Sequence, residues 1–297
     1  MEGADVTASV VLGVSALVAL AAAAALGVAG VALRLARADA SLQASTGSAS
    51  TSVEAGGNLV ADLPYRLVQL GLILLLASLA VTAVITGHAP WTNLAETALT
   101  FAAALLAGYL LVARSAPIHG LAAPAALLAG LLVGYGLALP NETLPLVPAL
   151  QQPVLLTVHV GAAIASYGAG GVAFLAALSE IAQRWSGDRI ALLPTAAVSR
   201  RAAGMAVIVA FPLLTAAIAL GSVWANLAWR SYWNNDPKEL AAAATWLVYA
   251  AELHLAGRRD RWGAAAPWLL VLGFAGVLFT WLGAGLLFIG QHGYATG

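Results

Sequence analysis

The chain has 297 residues and no net charge, since 13 basic side chains balance 13 acidic ones. Because 61% of the residues are hydrophobic and only 9% are charged, the composition excludes an ordinary soluble domain and indicates a membrane protein. The balanced charge argues against nucleic acid as a partner, and the lack of cysteine excludes disulfides and thiolate metal sites, so metal ligation would depend on the five histidines.

Apolar runs of about 20 residues or more, enough for a helix to cross a hydrocarbon core, predict eight transmembrane helices. They lie at residues 7–33, 66–87, 95–114, 119–138, 152–182, 203–226, 239–257 and 265–290. The runs lack period-two alternation, so the predicted fold class is all-α, a polytopic integral membrane protein rather than a barrel.

The first run has acidic residues before it and is longer than a signal-peptide core, so it is predicted to be a retained helix. Residues 41–63, rich in Ser, Gly and Ala, are predicted to form a flexible cytoplasmic linker. The predicted organisation is therefore residues 1–65 as an N-terminal helix plus linker, followed by a transmembrane domain over residues 66–297.

Basic side chains are unevenly distributed in the eight-helix arrangement. All of them lie on one membrane face except Arg230 and Lys238. The positive-inside rule predicts that the richer face is cytoplasmic. In a cell membrane, both termini and residues 224–240 would then face the extracytoplasmic side.

The segment at 224–240 ends with the pattern of a helix start. Asp236, Pro237 and Glu239 match a capping box with proline at the first helical position, so a structural cap is the ordinary interpretation of both acids. The aromatic residues before them could likewise belong to an interfacial belt.

The clustering of Trp224, Trp229, Tyr232 and Trp233 favours a second interpretation. Several flat aromatic side chains in one segment can form a platform for a large conjugated ligand. Porphyrin is the obvious candidate where histidines flank such a platform, because imidazoles ligate haem iron.

Two histidines are predicted to lie at the same membrane face as this segment. His159 is near the outward start of helix five and His292 near the outward end of helix eight. Each alone could be an interfacial histidine, whereas the pair suggests axial ligands. His254 lies about 22 Å along helix seven from Glu239; an ionisable residue at that depth is a functional candidate, with packing against a backbone carbonyl as the alternative.

The other polar candidates have simpler interpretations. His88 and His119 lie near helix ends and are predicted to be structural or interfacial. Glu96 lies at the start of helix three, where a carboxylate favours the helix dipole. Glu252, inside helix seven, has no such explanation.

Residues 224–239 read WANLAWRSYWNNDPKE, which resembles the signature W-A-N-x-A-W-G-x-Y-W-x-W-D-P-K-E of the cytochrome c assembly family, in its CcsA (ResC) branch of the system II pathway. Three further stretches are similar to that family: TGHAPWTNLAE at 86–96, LVPALQQP with VHVGAAIASYGA at 146–169, and IGQHGYA at 289–295. The resemblance extends from about residue 66 to the end.

The resemblance implies a haem-handling membrane subunit of a cytochrome c synthase. His159 and His292 would be the external haem ligands and His254 a transmembrane ligand. The implied haem platform comprises Trp224, Asn226, Trp229, Tyr232, Trp233 and Asp236. Haem b would be a substrate or transient ligand, delivered to the Cys-x-x-Cys-His motif of an apocytochrome c.

A separate CcsB (ResB)-like membrane protein is also implied, because that partner carries the second transmembrane histidine in the family. Haem lyase activity would be shared with the partner. No catalytic residue is assigned to this chain, since the substrates themselves supply the thiols and the vinyl groups.

The segment departs from the family signature at several positions. Asn235 stands where the family has tryptophan, and Arg230 replaces glycine. The Arg230 guanidinium could pair with a haem propionate. The alternative function is an electron-transfer membrane cytochrome that keeps its haem permanently; that class typically carries paired histidines on the same helices, and no predicted helix here has two.

Overall fold

The computed structural model describes residues 2–43, 54–140, 153–257 and 263–291. These ranges contain helices and no strands, which confirms the all-α prediction. The helices are α1 (Glu2–Gln43), α2 (Glu54–Thr86), α3 (Leu94–Ala113), α4 (Ala122–Ala138), α5 (Pro153–Ser186), α6 (Ala196–Trp229), α7 (Pro237–Ala256), α8 (Ala266–Leu278) and α9 (Ala284–Leu287). A 3-10 turn, His119–Leu121, precedes α4, and a π-helical segment, Phe279–Gly283, joins α8 to α9.

Seven helical segments among the described residues are long and apolar enough to cross a membrane. They are Thr7–Gly30, Asp62–Thr86, Leu94–Ala113, His119–Ala138, Val154–Ser186, Ala196–Trp229 and Ala266–Leu287. The chain is thus a multi-pass membrane protein. The remaining predicted helix, α7, is present and its 20 residues extend about 30 Å, but Lys238, Glu239 and Glu252 reduce its hydropathy.

The helices form one packed bundle in which α5 lies centrally. It packs against α6 along its length and also contacts α3 and α8, while α7 packs against α6 and α8. Close approach depends on small residues: a Cβ atom on Gly168 of α5 would lie 2.5 Å from the backbone of Ala104 in α3. This packing brings the first turns of α5 and α7 to the same end of the bundle as the last turns of α6 and α8.

The start of the chain packs on the rest of the bundle. Helix α1 lies against α2 and α4, and Leu20 contacts α2 at Gly71. Since α1 extends to Gln43 and α2 begins at Glu54, the predicted flexible linker over 41–63 is helical at both ends. Residues 44–53 lie outside the described part of the chain, and the division at residue 65 stays a prediction.

Helix α6 is longer than the sequence predicts. It continues to Trp229, three residues beyond the predicted end at 226, because nothing in WANLAW breaks a helix. It ends where Arg230 adopts a left-handed conformation with φ of 61°. Trp224 and Trp229 therefore belong to the last turns of a helix, and only residues 230–236 form the connection to α7.

Candidate functional site

A pocket lies at one end of the bundle, among the N-terminal parts of α3, α5 and α7, the C-terminal part of α6 and the π-helical segment that follows α8. Its walls are mainly apolar and aromatic. The aromatic lining residues are Trp91, His159, Tyr167, Trp224, Tyr232, Trp233 and Trp281. A pocket with apolar and aromatic walls and few polar groups is typical of a small-molecule or cofactor site.

His159, in the second turn of α5, is held firmly against α6. Its Nδ1 lies 2.8 Å from the backbone oxygen of Ala217, and its ring stacks on the indole of Trp224 at 6.2 Å with an interplanar angle of 8°. Gly221 leaves room for the imidazole, since a Cβ atom there would lie 2.6 Å from Cε1. A glycine at this point is what allows the ring to lie flat on α6.

The hydrogen bond to Ala217 also assigns the tautomer of His159. A carbonyl oxygen only accepts hydrogen bonds, so Nδ1 carries a proton, and in the neutral ring the lone pair is then on Nε2. Imidazoles that ligate metals usually donate their other ring N–H to a backbone carbonyl or a carboxylate in this way. His159 thus has the orientation and tautomer suited to metal ligation.

The three tryptophans of the signature have different environments. Trp224 is only 2% exposed and forms part of the pocket wall, with Leu156 packed beside it. Trp229 packs edge-on against Trp224, with ring centroids 4.7 Å apart, but is not among the lining residues. Trp233 lines the pocket and is 42% exposed. Two of the three tryptophans, together with Tyr232, therefore contribute surface directly to the pocket.

The connection between α6 and α7 is fixed by side-chain hydrogen bonds. Ser222 donates to the backbone oxygen of Tyr232, and the Trp233 indole N–H donates to the Asn235 side-chain oxygen at 2.9 Å. Asn235 has a positive φ of 54°. Asparagine tolerates this left-handed conformation better than bulky residues do, so the departure from the family pattern at 235 suits the local backbone.

Three platform candidates, Asn226, Trp229 and Asp236, do not line the pocket, and neither does Arg230, the possible propionate partner. The backbone oxygen of Asn226 accepts the N–H of Arg230, which caps α6. The Arg230 side chain is exposed and is likewise absent from the pocket lining. Their predicted roles in binding stay predictions.

The predicted capping box at the start of α7 is confirmed. Asp236 accepts a hydrogen bond from the backbone N–H of Lys238, and Glu239 accepts from those of Asn234 and Asp236. The second carboxylate oxygen of Asp236 accepts the backbone N–H of Gln291 at 2.6 Å. Asp236 thus joins the end of the last helical segment to the start of α7.

The three ligand candidates have different surroundings. His159 lies in the pocket, whereas His254 is exposed on the last turn of α7. His292 lies outside the described residues, but Gln291 directly before it is bonded to Asp236 at the edge of the pocket. Of the three candidate ligands, His159 therefore lies in the pocket, and Gln291, the residue before His292, is held by a hydrogen bond to Asp236.

His88 and His119 are not among the lining residues of the pocket. His88 Nδ1 is 3.0 Å from the oxygen of Ala89, and the His119 ring stacks on Tyr65 with centroids 4.4 Å apart. Glu96, in the first turn of α3, accepts hydrogen bonds from the backbone and hydroxyl of Thr92.

Glu252 lies at the opposite end of the bundle from the pocket. It is 3% exposed and lines a small cavity shared with Glu180 and Arg200, which form an ion pair at 2.9 Å. Arg184 also pairs with Glu180, at 2.6 Å. Glu252 thus lies beside a charged cluster, with buried carboxylates and partly exposed arginines, that is separate from the aromatic pocket.

Comparisons with known proteins identify the family. The model of the family described as "Cytochrome C assembly protein" matches residues 91–292. The chain belongs to the cytochrome c assembly protein family. This confirms the resemblance seen in the signature.

Curated relatives of this cytochrome c assembly protein carry the name "Cytochrome c biogenesis protein CcsA". The protein of that name from Parasynechococcus marenigrum (strain WH8102) is 33% identical over 259 residues, which cover 77% of this chain and 85% of the relative. The one from Prochlorococcus marinus (strain MIT 9303) is 34% identical over 267 residues, covering 75% and 83%. A third, from Synechococcus elongatus, is 41% identical over 132 residues, covering 44% and 39%.

The part of the chain that matches the cytochrome c assembly family contains the whole pocket. Every lining residue lies between Trp91 and Trp281, within the matched range of 91–292. Sequence reasoning did not single out Trp91, Trp281 or Lys238 as pocket residues. Trp91 falls in a stretch with family resemblance, and Lys238 in the signature itself, whereas Trp281 is in an apolar helix where nothing local distinguishes it from a residue of the bundle core.

Proposed function

We propose that this protein receives haem b in the aromatic pocket and presents it for covalent attachment to apocytochrome c, together with a CcsB (ResB)-like partner. The observation that carries the proposal is the His159 imidazole, which donates from Nδ1 to Ala217 and stacks on Trp224 inside a pocket with aromatic walls. Haem is the flat conjugated ligand that such an imidazole ligates.

The pocket is proposed to open on the extracytoplasmic side of the cell membrane. Arg114, Arg184 and Arg201 lie near the helix ends remote from the pocket, and Arg66 lies near the corresponding end of the apolar span Asp62–Thr86. By the positive-inside rule those ends face the cytoplasm. Attachment outside the cytoplasm agrees with this orientation, and the chain termini would lie on the pocket side.

His292 is proposed as the second external ligand. The Asp236–Gln291 hydrogen bond supports this role, because it fixes the backbone next to His292 at the pocket edge. His159 and His292 would then hold the iron, and the aromatic walls would contact the macrocycle. The chain's contribution is binding and orientation, since the new thioether bonds form between apocytochrome thiols and the vinyl groups of haem.

His254 is proposed as a ligand at an inner site shared with the partner. Its exposure on the last turn of α7 supports this, because an ionisable side chain in a membrane protein usually faces a partner group or a cavity rather than lipid. The partner would cover His254 and supply the second imidazole.

The test is haem binding and transfer by the full-length protein purified with its partner. His159→Ala should remove the wild-type absorption spectrum of the external haem and abolish cytochrome maturation, and added imidazole should restore part of both. His88→Ala is the matched control, because its Nδ1 also contacts a backbone carbonyl but its ring is outside the pocket.

Normal maturation and an unchanged spectrum in His159→Ala would reject this residue as a ligand. A second measurement separates the alternative function. Haem that passes from the purified complex to an apocytochrome c peptide with a Cys-x-x-Cys-His motif supports presentation, whereas haem that is redox-active but never transferred would instead identify an electron-transfer cytochrome.

A further inference from the structure

The pocket contains the only lysine of the chain. Lys238 is the second residue of α7, and its side chain lines the pocket on the wall next to Glu239. The ion pairs seen among the described residues both involve Glu180, at the far end of the bundle, so no described carboxylate forms an ion pair with Lys238. The pocket therefore has a cationic group that forms no direct ion pair with a described carboxylate, although the Asp236 carboxylate is nearby.

The position of Lys238 is unfavourable for a cation. The first turn of a helix carries the positive end of the helix dipole, which stabilises anions and destabilises cations. Burial also lowers the pKa of Lys238, and the nearby Asp236 carboxylate only opposes that effect. Residues that break such local rules are often functional.

The neighbouring carboxylates are already engaged by backbone groups. Asp236 accepts hydrogen bonds from the N–H groups of Lys238 and Gln291, and Glu239 accepts from two others. These bonds hold both carboxylates at the cap of α7. The ammonium group of Lys238 is thus left to interact with an anion that enters the pocket.

We propose that Lys238 binds a carboxylate of the macrocycle held in the pocket, namely a haem propionate. The aromatic walls would contact the faces of the ring, while Lys238 and the positive end of α7 would receive its acidic edge. The inference rests on the proposed function, in which the pocket binds haem. Arg230, the cation suggested by the sequence for this role, is exposed and lies outside the lining.

The experiment compares haem with haem dimethyl ester, which keeps the iron and the flat ring but has no propionate charge. Both are titrated into the purified complex of this chain and its partner, and dissociation constants are read from absorption spectra. Wild-type protein should bind haem about tenfold more tightly than the ester, because a charge-assisted hydrogen bond is lost with esterification. The Lys238→Met variant should bind haem and the ester with the same affinity, equal to the affinity of the wild type for the ester.

Two variants complete the comparison. Lys238→Arg should keep most of the discrimination, and Arg201→Met, which removes an exposed cation at the far end of α6, should keep all of it. Unchanged ester binding in Lys238→Met shows that the pocket is still folded.

Three outcomes would overturn the inference. If the wild type bound haem and the ester with equal affinity, the pocket would still be a haem site, but Lys238 would have no role in binding a propionate. Loss of discrimination in Arg230→Met, with discrimination retained in Lys238→Met, would assign the propionate to the arginine. Failure of wild-type protein to bind either ligand would reject the proposed function itself, and the inference with it.

Discussion

Gly221→Ala tests the position of His159 without changing the histidine. A Cβ atom at residue 221 would lie 2.6 Å from Cε1, so the imidazole must retreat by about 0.8 Å to reach an ordinary contact of 3.4 Å. Movement away from α6 would lengthen the 2.8 Å bond to Ala217 to as much as about 3.6 Å, which is no longer a hydrogen bond. Loss of such a supporting bond typically weakens metal affinity by about 10- to 100-fold.

The assay is haem titration of the purified complex, with the absorption spectrum recorded at saturation. Gly134→Ala is the matched control, because it is also a helical glycine but a Cβ atom there would lie 3.9 Å from Leu17, an ordinary contact. In a His159→Ala background, Gly221→Ala should have no further effect on affinity. Two results would refute the role assigned to the imidazole ring. One is a Gly221→Ala variant with the haem affinity and spectrum of the wild type. The other is a Gly221→Ala change that lowers haem affinity as much in the His159→Ala background as in the wild type.

Three further predictions concern the signature segment. Trp233→Ala should lower haem retention with little change in thermal stability, whereas Trp224→Ala should cost about 3–5 kcal/mol because its side chain is fully packed; thermal unfolding of both variants distinguishes them. Asn235→Ala should destabilise the connection by about 1–2 kcal/mol more than Asn235→Gly, because only glycine accepts the positive φ without strain; equal unfolding temperatures would contradict this. Asp236→Ala should lose about 1 kcal/mol of helix capping and increase hydrogen exchange at the Gln291 amide; unchanged exchange there would contradict the observed bond.

Local sequence patterns predicted the parts of the site whose interacting residues are close together in the chain. The Asp236–Glu239 cap formed as expected, because both partners lie within one helical turn. His159 could be assigned to the same end of the bundle as the tryptophan segment because the order of the helices fixes which ends lie together. The predicted end of α6 was short, because hydropathy falls at the polar residues after Trp224 while the helix itself continues to Trp229.

The rest of the site depends on tertiary packing. Trp281 reaches the pocket from an apolar helix, where no neighbouring residue indicates its direction. The sequence could not show that Arg230 is directed away from the pocket and Lys238 into it, because both are cations in the same segment. The fit of His159 against Gly221 likewise joins α5 to α6 across more than 60 residues of sequence.

The order in which the pocket walls are synthesised has a consequence for biogenesis. The walls are contributed by segments from Trp91 to Trp281, and the final helical segment closes one side. Chains emerge from the ribosome N-terminus first, so α5 and α6 are inserted while that side is still missing. A nascent chain would have no complete binding cavity until its last helix enters the membrane, and ligand loading would then follow, rather than guide, insertion of the bundle.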